Sequence, residues 1–369
     1  MSNIEWTDRT WNPVSGCTPV SPGCLNCYAA TMANRLQANP AVPEYAPRLV
    51  DERGNEHRGA VPEERRATLK TVRIAEVRGG RALFTGEVRT LEGRLAEPLS
   101  WRKPARVFVN SMSDLFHEAV PFEFVDRVFA VMALCPQHTF QVLTKRPERM
   151  TEYLLASRPI GDKRFECETH VGLAAMRAVF EARDANENST LGKGVTVHRD
   201  GELLQWPLPN VWLGTSVEEQ ARADERVPHL LRCPAAVRFL SCEPLLGAVD
   251  LFTHFAAFGM AWSESNVRYE RIAKAGIDWV IVGGESGPGS RACDVAWVRS
   301  IVGQCRAAGV ACFVKQLGAR PVNGAFAQNP VRGRIDSPVG AHPTRFADRK
   351  GGDPAEWPED LRVREMPGL

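Results

Sequence analysis

The sequence predicts an α/β fold: a partial (β/α)6 barrel of the TIM type, made of parallel strands with inserted segments. Three observations predict it. Short continuous apolar runs recur along the chain, as strands buried on both faces do. Segments of helical period alternate with them. Each run ends in polar or charged residues, and parallel barrels carry their chemistry at that end of the strands.

The first run is Arg106–Asn110, followed by the polar Ser111-Met-Ser-Asp114 and a helix from Pro121 to Leu134 with Phe122, Val125, Val128, Phe129 and Met132 at helical spacing. Pro136 stops that helix. The unit repeats at Thr139–Lys145, with a helix from Pro147, and again at Asn210–Glu218, Val237–Pro244, Ile277–Ser286 and Val310–Gln316. Six such units in sequence favour a barrel or part-barrel over an open sheet.

Ahead of this rhythm lies a loop, residues 12–28, that holds Cys17, Cys24 and Cys27 in the spacing C-x6-C-x2-C. Pro13, Gly16, Pro19, Pro22 and Gly23 are expected to keep it out of helix and strand. Structural zinc takes four protein ligands. A set of three thiolates leaves one position open, which suits a catalytic metal or an iron–sulfur cluster with one free iron. Half of a zinc knuckle and inert core thiols are the alternatives. Residues 28–39 read as a helix ended by Asn39-Pro40. The loop thus enters a helix N-terminus, whose free N–H groups favour negative charge.

Two stretches break the pattern. Residues 40–95 are rich in Pro, Gly and Arg; they read as an insertion of short strands and loops, with Ala82–Val88 one candidate strand. This is either a solvated excursion or a basic flap over a polyanionic substrate. Residues 158–208 read as a second insertion, with a helix over Gly172–Ala185 and Cys167, His170 and His198 as weak metal-ligand candidates. The barrel unit is expected to span residues 1–318, and residues 319–369 to form a C-terminal extension that wraps it or closes one end.

The chain has 369 residues, 44% hydrophobic and 24% charged, with a net charge of +2, so composition argues neither for nor against nucleic acid. No apolar run is long enough to span a membrane. The start Met1-Ser-Asn-Ile-Glu-Trp lacks a basic stretch followed by an apolar one, so a cytoplasmic location is expected. In a reducing compartment the ten cysteines read as ligands or catalytic groups before disulfides.

The strand tips supply the candidate site. Ser111 and Asp114, beside Thr144 and Lys145, form an acidic and a basic tip that could hold a zwitterion or merely pair. Ser216 and Glu218 follow on the next unit. Cys242 could donate a hydrogen atom or act as a nucleophile, or be a buried thiol. Glu243 stands beside it, and Glu243 or Glu285 could serve a hydrolase instead. The Gly283-Gly284-Glu285 tip could bed a ribose, carboxylate or phosphate, or be a tight turn. Lys315 and Gln316 end the last run.

The segments Ile4–Asp8, Thr10–Pro13, Ser21–Tyr28, Val109–His117, Leu143–Pro147, Leu240–Gly247 and Val282–Gly289 resemble an uncharacterised family of phage and bacterial proteins with a three-cysteine motif. The cysteine triad before a part-barrel is similar to the radical S-adenosylmethionine (SAM) superfamily, and the Leu143-Thr-Lys region resembles, more distantly, spore photoproduct lyase. The superfamily spacing is C-x3-C-x2-C, whereas the first gap here is six. The resemblance implies a 4Fe–4S cluster on Cys17, Cys24 and Cys27, SAM as cofactor, and an electron donor such as flavodoxin or ferredoxin. It implies Ser111 and Asp114 toward the SAM amino group, Thr144 and Lys145 toward its carboxylate or ribose, Ser216, Glu218 and Glu243 toward ribose and substrate, and Gly283, Gly284 and Glu285 near the adenosyl part. The substrate expected is a nucleic acid or nucleotide; the competing expectation is a zinc-bound, non-enzymatic nucleic-acid-binding protein.

Overall fold

The computed structural model describes residues 4–57, 66, 68–155, 207–256, 276–323, 342–343 and 346–368. Seven parallel strands form one sheet in chain order: β1 (Arg9–Trp11), β2 (Arg106–Val109), β3 (Thr139–Thr144), β4 (Val211–Ser216), β5 (Val237–Cys242), β6 (Trp279–Gly283) and β7 (Ala311–Gln316). The sheet curls into a half-barrel. All six strands expected from the apolar runs are present, and β1 adds a seventh at the edge, paired with β2 through Arg9↔Val107 and Trp11↔Val109. Three residues are too few to show a period, so β1 left no signal in the pattern.

The apolar runs are continuous because both faces of the sheet are covered. Outward positions such as Val107, Val109, Phe140, Val142, Leu213, Leu240, Val280 and Val314 join the main core with the helices. The helices α1 (Tyr28–Leu36), α2 (Phe122–Ala133), α3 (Pro147–Leu155), α4 (Gln220–Arg232) and α5 (Val295–Ala308) follow the loop and strands β2, β3, β4 and β6 in turn. In α2 the buried stripe runs Val125, Val128, Phe129 and Met132, one face at helical spacing. A side-chain cap at Asp294, donated to by the Ala296 amide, starts α5, and Gly309 in the left-handed region at φ 68° ends it.

The inward positions form a second core of Trp6, Trp212, Val237, Phe239, Trp279, Ile281 and Phe313. Trp6 reaches it from the segment before β1 and meets Trp279 edge-on, ring centres 6.1 Å apart. This aromatic floor fills the base of the half-barrel and leaves the other end free for polar side chains. Gly214 is required in this packing: a Cβ there would stand 2.5 Å from the Phe239 ring.

The insertion after α1 is made of short strands, as expected. Arg48–Val50, Glu56–His57 and Lys70–Val72 form one small sheet, and Ala75–Arg78 with Arg81–Phe84 form a hairpin. The strand expected over Ala82–Val88 is therefore the shorter Arg81–Phe84. The second insertion's helix and its Cys167, His170 and His198 lie outside the described residues. The C-terminal stretch packs against the open edge of the half-barrel. Trp357 and Leu361 are buried in the main core, and Val314 and Glu365 donate backbone hydrogen bonds to Val363 and Cys312 along the free edge of β7. Arg106 Nη1 lies 3.7 Å from Met366 Sδ, so this stretch links the two sides of the half-barrel at its base.

Candidate functional site

A cleft with a cavity volume of about 320 Å³ opens at the C-terminal ends of the strands. Strand alternation builds it: the inward positions that are aromatic at the base become Asn110, Lys145, Ser216, Ser241, Glu243 and Lys315 at the mouth. The opposite wall is the cysteine loop, and Cys17, Cys24 and Cys27 all line the cleft.

The loop is held over the mouth from three strand tips. From β3, Arg146 donates to the Thr18 carbonyl at 3.3 Å and the Thr18 hydroxyl at 2.5 Å, and its Nη1 lies 3.7 Å from the Cys17 sulfur. Ser21 donates to Glu218, beyond β4, at 2.7 Å. From the tip of β6, Glu285 accepts from Asn26 Nδ2 at 2.9 Å and from the Arg291 guanidinium, which also donates to the Pro22 carbonyl at 2.8 Å. Gly23 lies so close to Glu218 that a Cβ would fall 2.4 Å from Oε1. Gly16 sits at φ 89° with a Cβ position 1.9 Å from the Glu87 carbonyl, which demands glycine twice over.

The charges beneath the loop are compensated. Glu218 is wholly buried; it accepts from Lys145 Nζ at 2.6 Å and Arg226 Nη1 at 2.9 Å. Burial alone would raise its carboxyl, but Lys145 and Arg226 outweigh burial and hold it below the usual range. Glu285 is likewise held low, its burial outweighed by Arg291 and Asn26. Asp114 accepts from Thr144 Oγ1 at 2.7 Å, the Lys145 and Phe116 amides at 3.0 Å each, and Arg146 at 3.2 Å. Burial, with help from the Asp114 charge, pushes the Cys17 thiol up to about 12, and burial also raises Cys27.

On the far wall Glu243 takes Lys315 Nζ at 2.7 Å and Gln316 Nε2 at 3.1 Å, both on Oε1. Glu243 lines the cleft, and its Oε2 has no hydrogen-bond partner among the described residues. Burial disfavours the charged Lys315, but Glu243 more than compensates and raises its pKa. Asn110, at φ 60°, also lines the cleft; its Nδ2 is buried with no hydrogen-bond partner among the described residues.

The structure brings Ser111, Asp114, Thr144, Lys145, Ser216, Glu243 and Glu285 to one cleft with the three cysteines, as the strand tips led one to expect. Several expected roles are corrected. Cys242 does not line the cleft: it is fully buried in the outward core, where burial raises its thiol, because strand alternation points Ser241 and Glu243 inward and Cys242 away. Glu218 lies buried under the loop and supports it. Asp114 spends its oxygens on the tips themselves, which leaves little for a cofactor amine. Gly283 and Gly284 do not line the cleft; β7 explains them, since Cβ atoms there would stand 3.0 Å from the Gln316 carbonyl and 2.4 Å from that of Leu317. The supports the sequence reading passed over are Thr18, Ser21, Asn26, Arg291 and His117, whose Nε2 lies 2.9 Å from the Thr18 hydroxyl. Arg146 was read from the sequence as part of the basic tip with Thr144 and Lys145, and not as a support of the loop.

Three thiols on one concave wall, with cationic and N–H groups behind them, suit a negatively charged thiolate-bound group. Three thiolates suit either a zinc ion with one open position or an iron–sulfur cluster with one free iron. Among the described residues no three Cys, His, Asp or Glu side chains stand together as they would around one metal ion.

A family described as "Protein of unknown function (DUF5131)" matches residues 1–336. The chain belongs to this family. The match takes in the cysteine loop, all seven strands of the main sheet and every cleft residue named above, while the C-terminal stretch over β7 lies beyond it. Neither a curated protein nor a solved structure matches the chain. No helix of the described residues is long and apolar enough to cross a membrane.

Proposed function

We propose that this DUF5131 chain is a radical SAM enzyme on a TIM-like part-barrel. It would hold a 4Fe–4S cluster on Cys17, Cys24 and Cys27 and act on a nucleic acid or nucleotide. The observation that carries the reading is the docking of the cysteine loop: all three thiols line the same cleft as Lys145, Ser216, Glu243 and Lys315. A cluster held there by Cys17, Cys24 and Cys27 would supply one-electron reduction for the cleavage of bound SAM and so the radical chemistry of hydrogen-atom abstraction.

The chain's own residues have definite tasks in this reading. Arg146, Glu218 and Glu285 fix the loop to three strand tips, so the thiols keep their place relative to the cleft. Glu243 offers one open carboxylate oxygen for an ammonium or hydroxyl group, held in position by Lys315 and Gln316. Asn110 offers a buried amide donor toward a carboxylate or carbonyl. The aromatic floor closes the base of the cleft to water, which a reactive radical requires. The working compartment in this reading is the reducing cytoplasm, with a ferredoxin or flavodoxin as electron source.

The test is anaerobic reconstitution with iron and sulfide, then addition of SAM and a reductant. Release of 5′-deoxyadenosine, abolished by Cys17→Ala, supports the assignment. A loaded cluster with intact SAM refutes the reaction.

A further inference from the structure

We propose that the rim of the cleft is a landing surface for single-stranded nucleic acid, with one base stacked on Tyr28 at the mouth. This deepens the substrate half of the reading above and rests on it for the substrate class.

Most large apolar side chains of the described residues are covered. Of the exposed ones, Val20, Leu25, Tyr28 and Met32 fall within residues 20–32, the stretch that also holds two of the cleft cysteines. Tyr28 is 55% exposed and lines the cleft mouth. It shares one helical face of α1 with Met32 and Arg35, at i, i+4 and i+7, while Ala29, Ala30 and Ala33 turn the other face into the core. Those alanines are buried, and Ala29 and Ala33 pack with Ile74 and Ala75, so the Ala75–Arg78/Arg81–Phe84 hairpin stands against α1.

The hairpin turns at Gly79 and Gly80, with φ of 56° and 76°, a two-residue turn that pairs Arg78 with Arg81 at its tip. Arg78 is bonded to Glu76. Arg35 and Arg81 are exposed and have no acidic partner among the described residues. Arg35 on the exposed face of α1 and Arg81 at the tip of the hairpin packed against α1 thus carry uncompensated positive charge outward from the aromatic ring at the mouth. That combination recognises single-stranded nucleic acid, whose bases stack on aromatic rings while cations follow the phosphates. In a duplex the bases stay stacked on each other, out of reach of Tyr28. A lipid surface or an apolar protein face would match the apolar side chains but make no use of an aromatic ring at the mouth of a concave, polar cleft.

The experiment is fluorescence anisotropy with the full chain and a labelled single-stranded DNA, the same sequence as RNA, and the DNA duplex, at two salt concentrations. Binding needs no cluster, so its result is readable whether or not SAM is cleaved. Single strands should bind more tightly than duplex, and the two single-stranded arms decide between DNA and RNA. Tyr28→Ala should weaken binding roughly tenfold, within the range for one stacked base, and Arg35→Gln with Arg81→Gln should flatten the salt dependence. Leu155→Ala, at an exposed apolar residue outside the rim, should change nothing. The inference is overturned by equal affinity for duplex, by binding that Tyr28→Ala leaves unmoved, or by a rim that binds no oligonucleotide and instead self-associates until Met32→Lys separates the copies.

Discussion

Arg146 Nη1 lies 3.7 Å from the Cys17 sulfur and belongs to the same guanidinium that grips Thr18. One buried cation thus joins the tip of β3 to the first cysteine, while Asp114 and Glu118 balance its charge. Exchange of this residue should act on the loop before it acts on the barrel.

Arg146→Met should destabilise the chain by about 3 kcal/mol, because it leaves the buried Asp114 with one fewer donor. Urea unfolding measures this. Hydrogen exchange should show the loss concentrated in residues 12–28; uniform loss across the sheet would contradict the pinning role.

Gly23→Ala places a methyl group 2.4 Å from Glu218 Oε1. Neither partner has room to give, since the loop is held by Arg291 and Glu218 by Lys145 and Arg226. A cost of about 1–3 kcal/mol is expected, and Gly23→Ala should cost less in a Glu218→Ala background, where the opposing Cγ, Cδ and Oε1 are gone. Strict additivity in that double-mutant cycle would contradict it.

Stability should fall steeply in acid. Glu218 and Glu285 are held low in the folded chain, so the unfolded chain binds their protons at higher pH and stability rises with pH across the acid range. Their contributions are present above the unfolded carboxylate range, about 4.3, and are lost as pH falls through the lowered folded values. Glu218→Gln and Glu285→Gln should each flatten the acid limb of a stability–pH curve relative to the parent.

Cys242→Ala should cost about 1 kcal/mol in stability, from a small buried void, and leave iron content and SAM cleavage intact. Equal loss of chemistry in Cys242→Ala and Cys17→Ala would place Cys242 back among the reacting groups.

The fold was largely legible because six strands are buried on both faces and so stand out as unbroken apolar runs. The side-chain directions were legible only at the strand ends. Leu240-Ser241-Cys242-Glu243 alternates apolar and polar, which sets Leu240 and Cys242 on the core face and Ser241 and Glu243 on the cleft, as the structure has them; reading Cys242 as a reacting group overlooked that alternation. The cysteine loop was legible from spacing, but its supports were not: Arg291 reaches back 269 positions to Pro22, and Glu218 reaches 197 to Ser21. Such contacts exist only once the sheet has set its order. The two glycines after β6 looked like a ligand bed because glycine signals close approach, not what approaches; here it is the end of β7.

The central claim is that the three thiols at the cleft hold an iron–sulfur cluster open to SAM. Electron paramagnetic resonance of oxygen-free, reduced protein, with and without SAM, tests it most directly. The account expects an S = ½ signal of one 4Fe–4S cluster that changes on SAM addition and is absent from the Cys17→Ala, Cys24→Ala and Cys27→Ala variants. Stoichiometric zinc with no such signal, or a signal indifferent to SAM, would contradict it.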